Sequence, residues 1–460
     1  MRSFTIIEWG SFSKKTLEDS IRENKDQTTS QSIDKIAEQW FDELMRFAEN
    51  KNNTSFLTFC KRDELKVKNY VGIIQTKSGV LEILPKCFDL SDGIEILEDK
   101  EMSLEESYQI KNFCEQQSID SKKKKRVIAK DEAIKYTRKF LIHCLGTLLG
   151  IPLRNSDLAS LDIAKVSLLE IFIQMFIQEF EKIYQKGILH QYVEVEENRK
   201  VLKGKFLLNQ QLRLNLIHKE RFYTLSDEYI ADNLLNAIIK TTLIFLKSKT
   251  SNHTTFARIN QAIEILREVS VLQSYEIDFR RCGYSRHYHY YKNILTWCEI
   301  FLKQNSFISH KGNNEVYTLL FPMEKLFESF IASMLKKQNK DYQIKAQKKD
   351  KRLLINFNGE ERFQLCPDLY MKKEDKVIIA DTKWKILDSN NNHFGVSQND
   401  LYQLFAYAKY YDAKEVWIIY PRTYKKEQEE LEENIFKRYK GAKYKDQNID
   451  LRILFAPLIF

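Results

Sequence analysis

The chain of 460 residues is poor in glycine and proline, with only 13 and 6 of them. Globular proteins usually hold about three times that share, so collagen-like, low-complexity and turn-dense all-β proteins are excluded. Hydrophobic residues make up 43% of the chain and aromatic residues 12%, which suffices for packed cores and excludes wholesale disorder. Long helices with some strands remain, and at roughly 100–200 residues per domain the length predicts two to four domains.

Cysteine is also scarce, and the seven cysteines show no C-x-x-C spacing. A scattered, odd-numbered set argues against a disulfide framework or a structural zinc site, and it favours buried thiols in a reducing compartment. The opening stretch, MRSFTIIEWGSFSKK, lacks the apolar run of a signal peptide. No apolar stretch approaches the ~20 residues of a membrane span. We therefore expect a cytoplasmic protein without membrane segments.

The net charge of +9 is unevenly distributed along the chain. Residues 1–120 sum to −7 and residues 121–460 sum to +16. An excess of positive charge favours a polyanionic partner such as nucleic acid. We therefore expect the acidic front of the chain to bind a protein and the remainder to face DNA.

Hydrophobic patterning divides the chain into three predicted domains, 1–125, 126–315 and 316–460. The first is mixed α/β, with a helix predicted over Ser32–Glu49, a strand over Val80–Leu84 and a charged, loop-like linker over residues 91–126. The middle region is mainly helical, with a helix over Asp227–Lys247 and a strand pair over Gln191–Leu208 that turns near Gly204. The last domain alternates helices and strands. The chain holds no G-x-x-x-x-G-K-[ST] phosphate-binding loop.

The segment from Arg362 to Lys385, RFQLCPDLYMKKEDKVIIADTKWK, carries the strongest chemical signal. Its pattern predicts a β-hairpin of strands Phe363–Met371 and Val377–Lys385. The hairpin places Asp368 beside Asp381, with Lys383 on the same face as Asp381. Two carboxylates beside a lysine form a site for a hard cation such as Mg²⁺. The lysine can orient or deprotonate a water molecule and stabilise charge on a phosphate oxygen. This is the pattern of a PD-(D/E)xK nuclease core.

Two predicted helices flank the hairpin. The preceding helix carries Glu328 among apolar residues, where Glu328 is either a metal or water contact or an ordinary exposed charge. The following helix, predicted over Gln398–Tyr411, carries Gln403 and Tyr407 one turn apart. These two side chains either line the site or pack. The candidate catalytic residues are Asp368, Asp381, Lys383, Gln403 and Tyr407, and the candidate metal ligands are Asp368, Asp381 and Glu328.

The motifs resemble those of a known family. Asp381-Thr-Lys-Trp-Lys385 and Asp400-Leu-Tyr-Gln-Leu-Phe-Ala-Tyr407 are similar to the nuclease domain of the McrC family, the cleavage subunit of McrBC modification-dependent restriction systems. The resemblance continues upstream in Gly187–Tyr192, in Glu8-Trp9-Gly10 and in Leu81–Lys86. It implies an N-terminal α/β docking domain, a helical middle region and a C-terminal restriction-endonuclease-like core.

The resemblance also implies a partner. A McrB-like AAA+ GTPase ring would bind GTP and recognise double-stranded DNA carrying a modified base such as 5-methylcytosine. This chain would dock on the ring, stimulate its GTPase and cut the DNA with Mg²⁺. Two alternatives stay open at this point, namely a catalytically inactive adaptor that activates an AAA+ NTPase and a stand-alone RecB-like nuclease.

Candidate DNA contacts lie in the middle region. Lys203 and Lys205 flank Gly204, and a basic, aromatic cluster runs from Arg280 to Tyr291. Basic side chains mixed with aromatic rings occur in nucleic-acid grooves but also on ordinary surface helices. The candidate DNA-binding residues are Lys203, Lys205, Arg280, Arg281 and Arg286.

Overall fold

The structure is a computed structural model. It describes residues 2–23, 30–61, 63–87, 94–98, 107–115, 124–151, 166–274, 279, 286–306, 316–423, 428–445 and 448–458. These residues form two compact units, one made of residues 1–168 together with 320–460, and the other of residues 169–319. The first and last parts of the chain therefore share one unit. No helix in the described ranges is long and apolar enough to cross a membrane.

Among the described residues, the N-terminal part of the chain contributes short strands and four α-helices to the first unit. The strands are β1 (Ser3–Ile7), β2 (Ser11–Ser13), β3 (Leu57–Lys61), β4 (Glu64–Val67), β5 (Tyr70–Gln75), β6 (Val80–Leu84), β7 (Ile94–Glu98) and β8 (Lys124–Ile128). The helices are α1 (Lys14–Glu23), α2 (Ser30–Glu49), α3 (Ile110–Glu115) and α4 (Lys130–Leu149). Strands β1 and β6 pair in parallel, with Ile7 opposite Leu84, so both strands end at the same sheet edge.

The second unit combines helices with a three-stranded sheet. Its elements are α5 (Leu168–Lys186), β9 (Gln191–Arg199), β10 (Lys205–Phe206), α6 (Leu208–Leu214), β11 (Phe222–Ile230), α7 (Leu234–Lys247), α8 (His253–Ile265) and α9 (Lys292–Ser306). Helix α7 has ten buried residues and packs against α8 and α9 at the centre of this unit. Its Asn233 cap accepts a hydrogen bond from the backbone N–H of Asn236, which fixes where the helix begins.

The C-terminal part of the first unit is built around a mixed sheet. Its elements are β12 (Tyr317–Pro322), α10 (Met323–Gln338), β13 (Gln343–Ala346), β14 (Lys351–Ile355), β15 (Glu361–Leu365), β16 (Leu369–Lys373), β17 (Lys376–Thr382), α11 (Gln398–Tyr411), β18 (Glu415–Pro421), α12 (Gln428–Tyr439) and β19 (Asp450–Ala456). The sheet order is β13-β16-β17-β18-β19, with β17, β18 and β19 parallel. Strands β17 and β18 are buried along almost their whole length, which explains their unbroken apolar runs.

Apolar side chains from both faces of this sheet make up its core. Ile379, Val416 and Ile418 are fully buried and pack with Leu404 and Tyr407 of helix α11. Helix α10 packs against helix α4 from the N-terminal part of the chain, and Phe140 of α4 contacts Phe330 of α10 edge to face at 5.4 Å between ring centroids. The N-terminal elements therefore belong to the same packed body as the sheet.

Several sequence predictions differ from the structure in the middle and linker regions. The predicted pairing within Gln191–Leu208 is wrong, because β9 pairs with β11 and β10 pairs with the other edge of β11. The predicted start of a helix at Asp227 is also wrong, since residues 227–230 continue strand β11. The stretch 91–126 is not wholly a loop, because β7 and β8 pair antiparallel with acidic Glu98 opposite basic Lys124. Local periodicity cannot identify which distant strand completes a ladder.

Candidate active site

The β16–β17 hairpin brings Asp368 and Asp381 together. Leu369 pairs with Ala380, so Asp368 just before β16 lies across from Asp381 near the end of β17. The backbone N–H and the hydroxyl of Thr382 both donate to Asp368 Oδ2, each at 2.8 Å. These two bonds fix the carboxylate of Asp368 against the opposite strand. The predicted juxtaposition of the two aspartates is confirmed.

The strand predicted over Phe363–Met371 is divided in the structure. Residues up to Leu365 pair with β14, whereas residues from Leu369 pair with β17. Pro367 lies in the break, and it has no N–H to donate to either ladder. At this break the chain passes from the β14–β15 pair to the β16–β17 pair. Asp368 therefore lies at the rim of the sheet.

Lys383 lies beside Asp381 as predicted. Its Nζ is 2.7 Å from Asp381 Oδ2 and 3.4 Å from Asp400 Oδ1. Burial alone would lower the pKa of Lys383, but the charges of Asp381, Asp400 and Asp368 outweigh it and raise this pKa above its ordinary value. The lysine therefore keeps its proton at neutral pH.

The two aspartates have unusually high pKa values. Asp381 is 3% exposed, and burial together with the charge of Asp368 raises its pKa to about 6. Burial and the charge of Glu328 raise the pKa of Asp368 as well. A buried and a half-buried carboxylate that repel each other favour a bound cation or a shared proton.

The carboxylate of Glu328 interacts electrostatically with Asp368 and Asp381, but its hydrogen bond is to Gln347. Its Oε1 accepts a hydrogen bond of 2.9 Å from Gln347 Nε2. Its pKa is raised, mainly by burial and also by the charge of Asp381. Within the described ranges, no three His, Cys, Asp or Glu side chains converge closely enough to hold a metal ion together. The metal-ligand set of Asp368, Asp381 and Glu328 stays a prediction.

The aspartate pair nevertheless suits a divalent cation by its chemistry. Mg²⁺ is usually bound by one or two carboxylates, and water molecules and substrate phosphates complete its octahedron. Asp368 and Asp381 supply hard oxygen donors, and the raised pKa of each shows that positive charge would be favoured there. The residues present therefore fit Mg²⁺ through two protein ligands.

Gln403 and Tyr407 form one connected hydrogen-bonded pair. Gln403 Nε2 donates to the Tyr407 hydroxyl at 2.8 Å, and that hydroxyl donates to the backbone oxygen of Cys366 at 3.2 Å. Tyr407 is buried against the sheet. The pair therefore anchors the Cys366–Pro367 segment that leads into Asp368, which supports the site from behind.

Asp400 is a site residue that the sequence analysis did not single out. It lies in the first turn of α11, and its carboxylate faces Lys383. The spacing of Asp400, Gln403 and Tyr407 at i, i+3 and i+7 places all three on one helix face, which is the signal that could have identified it.

The candidate DNA-binding residues lie in the second unit. Lys203 Nζ is 2.7 Å from Glu228, which also binds Arg199 at 2.7 Å, and these bonds lower the pKa of Glu228 to about 2. Lys205 is exposed on β10. Arg286 begins a short 3₁₀ helix that ends at Tyr291, whereas Arg280 and Arg281 lie outside the described residues. The role of these residues in DNA binding stays a prediction.

Comparison with solved structures finds the same fold. A chain of the refined half-complex from the tetradecameric assembly of Thermococcus gammatolerans McrB AAA+ hexamers with bound McrC matches at a TM-score of 0.60 and 19% identity, covering 99% of this chain and 94% of that one. A chain of the Thermococcus gammatolerans McrBC complex matches at a TM-score of 0.45 and 19% identity, covering 73% and 88%. None of the curated proteins compared with this chain matches it.

A family model matches most of the sequence. It is described as McrBC 5-methylcytosine restriction system component, and the match runs over residues 65–421. This range includes strands of the N-terminal sheet, the whole second unit and the candidate active site. The resemblance noted in the sequence is therefore confirmed, and the chain belongs to the McrBC 5-methylcytosine restriction system component family.

Proposed function

We propose that this chain is the Mg²⁺-dependent endodeoxyribonuclease subunit of a McrBC-type restriction system. The carrying observation is the juxtaposition of half-buried Asp368 and buried Asp381, with Lys383 Nζ at 2.7 Å from Asp381 Oδ2. The sheet order and the flanking helices α10 and α11 support a PD-(D/E)xK nuclease core. In such cores two acidic residues and a lysine at one sheet rim serve phosphodiester hydrolysis.

Asp368 and Asp381 would hold the cation, which when bound would polarise the scissile phosphate and an attacking water. The remaining roles, orientation of the water and stabilisation of the phosphate charge, belong to a side chain of this protein. Because Lys383 keeps its proton, it acts as a cation that orients the water and stabilises charge on a phosphate oxygen, rather than as a base. Water attacks phosphorus, the bond to the 3′ oxygen breaks, and the products are a 5′ phosphate and a 3′ hydroxyl.

The second part of the proposal concerns the partner. A solved neighbour of this fold contains McrB AAA+ hexamers with bound McrC, and this chain holds no P-loop of its own. We therefore assign GTP binding to a McrB-like AAA+ ring. The chain would dock on that ring, stimulate its GTPase and cut modified double-stranded DNA that the ring presents.

The test is cleavage of a plasmid carrying 5-methylcytosine by the full chain with its AAA+ partner, GTP and Mg²⁺. We expect cleavage by the wild type, loss of cleavage in Asp381→Ala, and loss on chelation of Mg²⁺. Asp412→Asn is the matched control, since Asp412 belongs to a second D-x-K triplet and caps helix α11 away from the pair. It should cut normally.

Partner binding separates the proposal from the alternatives. Asp381→Ala should still bind the ring and stimulate its GTPase, which would show that only the chemical step is lost. Normal cutting by Asp381→Ala would refute the site assignment. GTPase stimulation without any cleavage by the wild type would identify an inactive adaptor, and cleavage without partner or GTP would identify a stand-alone nuclease.

A further inference from the structure

Two N-terminal motifs meet at one edge of the N-terminal sheet. Because β1 and β6 run in parallel, Glu8 after β1 and Lys86 after β6 emerge side by side. The backbone N–H of Lys86 donates to Glu8 Oε1 at 3.2 Å. The Glu8-Trp9-Gly10 and Leu81–Lys86 motifs therefore act as one structural feature, although 70 residues lie between them in the sequence.

The turn after Glu8 explains why this motif ends in glycine. Trp9 adopts a left-handed backbone conformation with φ of 67°, and Gly10 N–H bonds back to Ile7 O at 3.0 Å. A Cβ at Gly10 would come within 2.9 Å of the same Ile7 oxygen. Only glycine fits this close approach, and the tight turn leaves the side chain of Glu8 directed into the protein.

Glu8 is buried and bonded to the candidate active-site strand. It is 1% exposed, and Trp384 Nε1 donates a hydrogen bond to its Oε1. Burial raises the pKa of Glu8 despite the nearby charge of Lys86. Its second oxygen, Oε2, has no hydrogen-bond partner among the described residues. Burying a carboxylate is costly, and the donors Lys86 N–H and Trp384 Nε1 offset part of that cost at Oε1.

Trp384 directly follows Lys383 and is held from several sides. Lys86 Nζ donates to its backbone oxygen at 3.3 Å, and its ring lies 5.1 Å from Phe327 and stacks on Phe140 at 6.0 Å. The chain turns tightly here, with Lys385 N–H bonded to Lys383 O at 2.8 Å. The orientation of the indole therefore sets the direction in which Lys383 leaves strand β17.

We propose that Glu8 is a positioning residue for the nuclease site, which acts through the indole of Trp384 to hold Lys383 beside Asp381 and Asp400. Lys86 completes the arrangement by binding both Glu8 and the Trp384 backbone. Phe327 adds a second link, because it neighbours Glu328 on helix α10 and contacts the same indole. The N-terminal part of the chain is thus a structural component of the active site as well as a candidate docking domain.

The inference rests on the proposed nuclease function, and kinetic variants test it in the complete system with partner, GTP, Mg²⁺ and methylated plasmid. Trp384→Phe keeps an aromatic ring but removes the N–H donor, and Glu8→Ala removes the acceptor. We expect each to lower kcat by about 10–100-fold, as losses of supporting hydrogen bonds do. KM for DNA and stimulation of the partner GTPase should stay near wild type. Glu8→Gln, which keeps an acceptor oxygen, should recover most of kcat.

A matched control isolates the hydrogen bond from the loss of ring volume. Trp40 is fully buried in the N-terminal part, and its Nε1 has no hydrogen-bond partner among the described residues. Trp40→Phe should therefore leave kcat unchanged. In the double variant Glu8→Ala/Trp384→Phe, kcat should be no lower than in the worse single variant, because both changes break one interaction.

The outcomes separate failure of this inference from failure of the nuclease proposal. If the wild type does not cut, or if Asp381→Ala cuts normally, the nuclease proposal fails. If those two behave as expected but Trp384→Phe retains full kcat, the positioning role is overturned. It is equally overturned if Trp40→Phe lowers kcat as much as Trp384→Phe does. The same holds if the kcat losses of Glu8→Ala and Trp384→Phe multiply in the double variant. Should Glu8→Ala not fold, Trp384→Phe and Glu8→Gln decide the question.

Discussion

Lys383 Nζ lies 2.7 Å from Asp381 Oδ2, so Asp381 near the end of β17 and Lys383 just beyond that strand form an ion pair at the sheet rim. Removing the positive charge of Lys383 should remove its stabilisation of the negative charge on the phosphate. We expect Lys383→Met to lower kcat for DNA cleavage by about 10²–10³-fold, the usual loss for one pre-organised donor. Single-turnover cleavage of methylated plasmid with saturating partner and GTP measures it.

The chain offers a control for this variant in Lys414, which also follows a D-x-K pattern. Lys414 is exposed in the turn before β18, four residues ahead of Ile418, which pairs with Asp381. It therefore lies about 13 Å along the sheet from the site. Lys414→Met should cut at the wild-type rate. Equal losses in the two variants would mean that Lys383 contributes only general positive charge.

The raised pKa of Asp381 predicts how stability depends on pH without metal. Its pKa is about 6 in the folded protein against an ordinary 3.8. Between these values the folded protein holds more protons than the unfolded chain, so stability is lost as pH rises from about 4 to 6. Asp381→Asn should have a flatter profile and, at pH 7.5, a Tm about 2–5 °C above the wild type.

Added Mg²⁺ should restore the stability that the folded protein loses when the carboxylates of Asp368 and Asp381 ionise. A cation that binds the folded carboxylates stabilises the wild type, whereas Asp381→Asn has lost one of the two ligands. Thermal unfolding at pH 7.5 with and without Mg²⁺ should show the larger Tm increase in the wild type. Equal increases in both proteins would place the Mg²⁺ elsewhere.

Single helices and strands were predicted well from the sequence because local patterns determine them. Helix α11 was predicted over Gln398–Tyr411 and is observed over the same residues. Strand β6 was predicted over Val80–Leu84 and is also observed there. Alternation and helical spacing are properties of neighbouring residues, so they can be read along the chain. The same alternation placed Asp381 and Lys383 on one face.

The supporting contacts of the site could not be predicted in this way. Glu8 and Trp384 are 376 positions apart, and their bond depends on the packing of an N-terminal sheet against the strand end of β17. No periodicity relates two such residues. The pairing of β9 with β11 was not predicted for the same reason. Long-range packing rather than local propensity determines which strands pair in a ladder.

Tyr407 gives a prediction about the segment before Asp368. Its hydroxyl joins Gln403 to the Cys366 backbone oxygen, so Tyr407→Phe should lose about 0.5–1.5 kcal/mol of unfolding free energy. We expect kcat to fall severalfold with KM unchanged, since Asp368 loses an anchor but no ligand atom. Tyr444→Phe is the control, because its hydroxyl also donates to a backbone oxygen, that of Leu401. It should lose similar stability and no kcat.

A buried ion pair should dominate the stability of the N-terminal part. Arg138 of α4 donates two hydrogen bonds to Glu82 of β6, at 2.6 and 2.7 Å, and the side chain of Glu82 is fully buried. Glu82→Ala would leave the guanidinium buried without its carboxylate, which should cost about 3–5 kcal/mol. The exposed pair of Arg22 and Asp34, 3.2 Å apart, is the control, and Asp34→Ala should cost under about 1 kcal/mol. Urea denaturation of both variants measures the difference. Similar small losses would show that water reaches the Glu82 carboxylate, and the packing of α4 on the sheet would then be weaker than its geometry indicates.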